Sequence, residues 1–412
     1  MRPLRILMLM ADMPYPPNWG AGARNYHLIA QLARRHDVAL LTYRTSDDPA
    51  ARDELERLCS IVVLEPPAAG TGRAKRIRQI ASLFSSSSYH ATRLHSAGMQ
   101  SALDRLLAHN RFDAVQIESS TFSRLRISRG EHVVVLDEHN IEFETHLRAF
   151  RTEPSIGRKL YGLAEYFKGR RDEIRAWRMA DGCTFTSARE ERLMRAIVAR
   201  KSTAVVPNGV DVTYFRPTEV APDPDSIVFT GLMSYRPNVD AVTYFARAVL
   251  PLIRRARPSV KFTVVGRDPA ADVLRLVDRG VEVTGAVPDV RPFVSSAAVV
   301  AVPLRFGSGT RLKIAEGLAM GKAIVSTTLG AEGIDVHHGQ EILIADRADA
   351  FAEQVIRLMR DPALATRLGS NGRTFAEARL TWEAATERLE SFYHELLQRR
   401  HGHVGPERQF GG

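Results

Sequence analysis

Residues 298–326 hold the chain to a narrow choice of folds. Ala298-Val-Val-Ala-Val-Pro-Leu304 is an unbroken apolar run, the composition expected of a strand buried on both faces of a parallel sheet. Arg305-Phe-Gly-Ser-Gly-Thr-Arg-Leu-Lys-Ile-Ala-Glu-Gly317 follows, and a second apolar run occupies 323–327. The order is strand, glycine loop, helix, strand. Gly307 and Gly309 let the backbone turn sharply and approach a ligand. A helix beginning near Thr310 would aim its free N–H groups and positive dipole end at the loop, where an anion is the natural guest. Arg311 and Lys313 add two cations, suited to a diphosphate, and Glu316 adds a carboxylate suited to sugar hydroxyls. A βαβ crossover with solvated charges fits the same residues, so the segment by itself leaves both readings open.

The rest of the chain repeats this order. Residues 4–10 form a buried-type strand, the loop after it carries Gly20-Ala-Gly22, and a helix is expected from about Ala23 to Arg35 on Tyr26, Ile29, Ala30 and Ala33. A strand over 36–43 completes a Rossmann-like unit. The dinucleotide fingerprint is incomplete: the third glycine is missing and Tyr43-Arg44 stands where an acid would end the second strand. A nicotinamide cofactor is therefore not expected. Further strands are expected at 60–64, 113–118, 132–137 and 181–187, with helices at 96–108, 155–180 and 188–198. Partial helix is expected around 76–84. Ligands of open parallel sheets bind beyond the carboxyl ends of the strands, which brings forward Glu118 and Asp137-Glu-His-Asn140. His139 beside these acids suits acid/base work or a hydroxyl ligand. The same residues also suit a helix start capped by Asn140. One histidine without a spaced partner does not suggest zinc.

Pro207-Asn-Gly209 and the proline-rich 216–226 mark a boundary. The pattern restarts at 225–231. Asn238 is the expected N-cap of a helix reaching Arg257 and burying Val242, Phe245, Val249 and Ile253. A strand leads to Gly266, a helix covers 270–279, a strand covers 281–285, and Val287 opens the next helix. The expectation is thus an α/β chain of two doubly wound domains, 1–206 and 207–385, facing each other across a cleft. A C-terminal helix at 386–400 should pack back on the first domain, and 401–412 should be a disordered tail.

The charge is lopsided. Residues 1–205 carry 32 Lys and Arg against 23 Asp and Glu, whereas the remainder carries 25 against 24. The basic first half, with clusters at 73–78 and 158–178, suits an anionic acceptor or membrane surface, or simply a solvated face. No recognised nucleic-acid motif accompanies it. Cys59 and Cys183 are the only cysteines, too few for a disulfide framework and consistent with a cytoplasmic setting. No apolar run reaches the roughly 18–20 residues of a membrane span.

Taken together, Pro207-Asn-Gly-Val-Asp211, Phe229-Thr-Gly-Leu-Met-Ser-Tyr-Arg-Pro-Asn238, Val264-Val-Gly266, Val283-Thr-Gly-Ala-Val-Pro-Asp289 and the 302–326 segment resemble the family 4 type of retaining glycosyltransferases. The resemblance implies a GT-B fold of two facing Rossmann-like domains. It implies a nucleotide-sugar donor as co-substrate on the second domain, a glycan or lipid-linked acceptor on the first, and no separate cofactor or metal. Carried across by position, Glu316 would hold the ribose, Arg311 and Lys313 would lie by the diphosphate, and 285–289, including Val287, would line the base. Gly231, Arg236, Gly266, Ser308, Gly309 and Thr310 would complete the donor site. Gly20 and Gly22 would close on the phosphates, and His139 would sit by the sugar and acceptor. Two positions depart from the family pattern. Ser308 replaces the first of two paired glutamates, and Leu232 follows Gly231 where a basic pair is common. A sugar-nucleotide epimerase of related fold, or a non-catalytic nucleotide-sugar-binding protein, are the rival readings.

Overall fold

The computed structural model describes residues 2–17, 19–45, 49–67, 77, 81–82, 84–128, 130–152, 156–307 and 309–402. The chain divides into two compact units, Met1–Val206 with Ala385–Gly412, and Pro207–Ala384.

In the first unit the apolar runs become seven parallel strands: β1 Arg5–Met10, β2 Asp37–Tyr43, β3 Ser60–Leu64, β4 Ala114–Glu118, β5 Val133–Glu138, β6 Gly182–Phe185 and β7 Ser202–Val205. They are ordered β3-β2-β1-β4-β5-β6-β7. Successive side chains of a strand point to opposite faces, so a sheet covered on both sides needs an unbroken apolar run. β1 shows this directly. Ile6, Met8 and Met10 enter one core with Leu28, Ile29 and Leu32 of helix Gly20–Leu32 and with Leu389, Phe392 and Tyr393 of the C-terminal helix. Leu7 and Leu9 enter the other with Met99, Leu103 and Trp177.

The second unit holds β8 Asp223–Thr230, β9 Lys261–Val265, β10 Val281–Gly285, β11 Ala297–Val302, β12 Ile324–Ser326 and β13 Leu343–Ile344. These form a second parallel sheet, β10-β9-β8-β11-β12-β13. In each sheet the strand order reverses beside the first strand, between β1 and β4 and between β8 and β11. Such a reversal opens a crevice at the strands' carboxyl ends.

Several expectations shift. Helix Gly20–Leu32 begins at Gly20 rather than Ala23, so both glycines sit in its first turn, and its buried face runs through Gly22, Arg24, Asn25, Leu28, Ile29 and Leu32. The basic helix expected over 155–180 does appear, as Ile156–Met179, and a separate helix Glu142–Thr152 precedes it. The helix expected from Asn238 starts at Arg236 and widens to a π-turn at Phe245–Val249 before continuing over Leu250–Ala256. Pro251 lacks an N–H and breaks the regular ladder there. Val242, Phe245, Val249 and Ile253 are fully buried, as the periodicity requires. The helix expected to open at Val287 starts at Arg291. The C-terminal helix runs over Trp382–Gly402, and 403–412 lie outside the described residues, as does most of 76–83. Among the described residues no helix is long and apolar enough to cross a membrane.

Candidate functional site

At the reversal of the second sheet, β8 runs into Gly231 and β9 into Gly266. A Cβ on Gly266 would lie 1.7 Å from the Gly231 carbonyl oxygen, so this glycine is demanded by backbone packing. Gly231 itself has φ 151°, in the region that favours glycine. The loop after β11 reaches the same end of the sheet. Gly307 and Gly309 take φ 126° and 77°, and helix Leu312–Ala319 follows, two residues later than expected. Ser308 lies outside the described residues.

Lys313, in the first turn of that helix, brings this end together. Its Nζ donates to Asn238 Oδ1 at 2.9 Å and lies 4.1 Å from the Phe229 ring centroid. It also sits 3.0 Å from where a Gly231 Cβ would be. Asn238 is therefore not an N-cap. It lies inside helix Arg236–Tyr244, and its Nδ2 donates to the Leu232 carbonyl at 2.9 Å while its oxygen holds the lysine. Burial, reinforced by nearby Arg311, lowers Lys313 to about 7. Burial also raises Glu316 to about 7, against the pull of Lys313. Arg311 is buried and donates to the Gly309 carbonyl. Gly231, Asn238, Gly307, Gly309, Arg311 and Lys313 thus form one partly desolvated basic end of the sheet. Thr310 is half-buried beside it. Arg236 is exposed on the first turn of its helix, and Val287 packs half-buried on the core.

In the first unit, parallel pairing sets Glu118 at the end of β4 opposite Asp137 of β5. Asp137 is fully buried and accepts Arg24 in a two-point pair, Nε and Nη2 each at 2.8 Å. Arg24 Nη1 donates to the Val206 carbonyl at 2.9 Å, and Thr184 Oγ1 donates to Asp137 at 2.5 Å. His139 Nε2 lies 2.6 Å from Glu118 and 3.3 Å from Asp137. Burial works against charge on Asp137, but Arg24 and the hydrogen bonds hold its carboxyl well below the usual range. Burial and the Asp137 charge raise Glu118. Burial opposes charge on His139 too, yet its two carboxylate partners raise it to about 9. At neutral pH His139 is therefore an imidazolium, a hydrogen-bond donor rather than a base. Gln116 donates to Glu118 at 2.6 Å and accepts from Tyr393 of the C-terminal helix.

Ligand atoms of Glu118, Asp137 and His139 lie within 4.8 Å of one another, a spacing that could hold a metal ion. Both Asp137 oxygens already accept from Arg24 and one also faces His139, so an ion there would compete with the hydrogen bonds these groups make to one another. A Cβ on Gly22 would meet the Trp19 ring at 2.4 Å, because the indole already covers it. Gly20 is exposed, and a Cβ added there would meet nothing within 4 Å.

Sequence reasoning missed Arg24 and the bridging role of Asn238. The signal for Arg24 was present, since it shares one helical stripe with Leu28 and Leu32, where a charge needs a buried partner. Asn238 gave no such signal, because its partner is 75 residues away in sequence.

Residues 20–209 match the glycosyl transferase 4-like domain, and residues 224–361 match glycosyl transferases group 1. An uncharacterized 44.6 kDa protein of the cps region of Klebsiella pneumoniae is 23% identical over 375 residues, covering 87% of this chain and 91% of that one. A sucrose-phosphate synthase from Thermosynechococcus elongatus superposes with a TM-score of 0.70 at 17% identity, covering 96% of this chain and all of that one. Anabaena HepE, solved in complex with UDP, gives 0.62 at 15% identity, covering 95% of this chain and all of that one. Two parallel-sheet units matched in order by these two domains place the chain in the group 1, 4-like glycosyltransferase family, with the GT-B fold.

Proposed function

We propose that this glycosyltransferase holds a nucleoside diphosphate sugar on its second unit. The sugar passes, with retention and without a metal ion, to a polysaccharide or lipid-linked glycan handled by the first unit. One observation carries the donor half: Lys313 and buried Arg311 meet at the carboxyl end of the sheet, and among the described residues Lys313 Nζ is bonded to the Asn238 amide rather than to a carboxylate. As the bond from C1 to the leaving oxygen breaks, charge collects on the diphosphate. Preorganised cations stabilise that charge most where water is excluded. Glu316, three residues further along the same helix, suits the ribose hydroxyls. In the first unit His139, held as a cation, suits an oxygen of the sugar or acceptor. The UDP complex of HepE supports a nucleotide donor, and the cps-region relative supports a polysaccharide product.

The test is transfer of label from a panel of nucleotide sugars to membrane and capsular-glycan fractions, with the product's anomeric configuration read by NMR. Label should move to the acceptor with retention, survive a chelator, and fall at least a hundredfold in Lys313→Ala at an unchanged melting temperature. Unchanged turnover in Lys313→Ala, inversion, or loss of activity with the chelator would each overturn its part of the reading.

A further inference from the structure

Six large hydrophobic residues of the first unit stand between 53 and 90% exposed: Ile77, Phe84, Ile156, Leu160, Phe167 and Met179. Four lie on helix Ile156–Met179. The other two are Ile77 and Phe84, and Lys168 of the helix donates to the Ser82 carbonyl at 2.6 Å. Among the described residues of this unit, most of the exposed apolar bulk therefore lies on one helix. Ile156, Leu160 and Phe167 recur at spacings of four and seven, one stripe of an α-helix, and Arg171, Arg175 and Arg178 continue it.

The acids of this helix point the other way. Glu165, Asp172 and Glu173 are all buried. Glu165 accepts from the Tyr89 amide and Asp172 from the Ser88 amide, each at 2.7 Å, and Glu173 accepts from the amides of Glu142 and Phe143. The outward face keeps cations and hydrocarbon only. Arg170, Arg171, Arg175 and Arg178 wall a shallow depression around Phe167 and Met179.

We propose that helix Ile156–Met179 docks on an anionic lipid bilayer. The first half of the helix enters the boundary between headgroups and acyl chains, and the arginines of its second half lie against the headgroup phosphates. An interfacial helix combines these features, an apolar stripe with a basic flank and little overall hydrophobicity. A soluble polyanion would account for the arginines but not for Ile156, Leu160 and Phe167. A second copy of the chain would set like charges against each other. The docking surface is independent of the donor site, so either can fail alone.

The test is flotation of the full-length protein with vesicles of phosphatidylcholine, alone or with phosphatidylglycerol. Wild type should float only with the anionic vesicles and release in high salt. Each basic residue near an anionic surface contributes roughly fivefold to partitioning, so Arg171→Gln/Arg175→Gln/Arg178→Gln should bind on the order of a hundredfold more weakly. Leu160→Ser/Phe167→Ser should lose at least tenfold with every charge in place. Both variants should keep the wild-type melting temperature and the wild-type thermal shift with UDP-glucose. The proposal is overturned if wild type fails to float or floats equally with neutral vesicles. It is also overturned if the serine variant binds like wild type, or if light scattering shows a wild-type dimer that the serine variant abolishes.

Discussion

Donor binding should move protons, in opposite directions on either side of neutrality. Lys313 sits at about 7 and Glu316 at about 7 in the free protein. A diphosphate within contact distance favours the charged lysine by one to three pK units. At pH 8 about nine in ten free molecules hold Lys313 neutral, so a shift of one to three units should take up about 0.4 to 0.9 proton on binding there. Ribose hydroxyls donating to Glu316 favour its carboxylate. At pH 6 about nine in ten free molecules hold Glu316 protonated, so binding should release protons there, up to about 0.9 when the carboxylate forms completely. The two effects cancel near pH 7. Titration calorimetry with the nucleotide sugar that serves as donor in the labelled panel, whose diester phosphates do not titrate in this range, reads the proton count directly when repeated in buffers of different ionisation enthalpy. Between the free and the bound pKa of Lys313 the dissociation constant should rise with pH, by at most about tenfold per unit, and level off above the bound value. Lys313→Met should abolish the uptake at pH 8 and leave the release at pH 6. Glu316→Gln should do the reverse. A proton count of zero at both pH values in wild type, or an uptake that survives in Lys313→Met, would refute the assignment of these two residues to the donor.

Two further outcomes concern the scaffold. Arg24→Met leaves Asp137 charged, buried and without its guanidinium, a loss of about 3–5 kcal/mol. The urea midpoint should fall accordingly, and Arg24→Met/Asp137→Leu should recover part of the loss. Gly266→Ala places a methyl 1.7 Å from the Gly231 carbonyl and should deprive the second unit of its cooperative melting transition. Gly20→Ala, which meets nothing within 4 Å, serves as the control and should melt at or slightly above wild type.

The sheets were legible because their strands are buried on both faces, and such burial writes itself as continuous apolar runs. All thirteen strands fall on or within a residue or two of runs visible in the sequence, except β7, which is short and half-buried throughout. Helix starts were less legible. Gly20-Ala-Gly22 looks like a loop because glycine weakens helices. It folds as a first helical turn because Trp19 packs over Gly22 and leaves no room for a side chain there. Of the site residues, Lys313 and Arg311 announced themselves by lying beside a glycine turn. The partners that hold Lys313 in place did not, because Phe229 and Asn238 come from β8 and from a different helix, and only the sheet order brings these to Lys313. The same holds for Tyr393, 277 residues from the Gln116 it contacts.

The two units solve opposite electrostatic problems with similar means. In the first, every charge in the buried cluster is matched: Arg24 spans Asp137, and His139 lies against Glu118 and Asp137. Asp137 and His139 keep their charges across the neutral range, which suits residues that must present one hydrogen-bonding face to whatever is bound. In the second, Lys313 is desolvated but its bonded partner is an uncharged amide and its neighbour an aromatic face. A carboxylate in the place of Asn238 would hold the ammonium charged at all times and spend its attraction before any ligand arrived. The amide fixes the nitrogen's position without neutralising it. An arriving anion then supplies the missing charge and draws the proton in, so binding energy is realised at the phosphates rather than within the free protein.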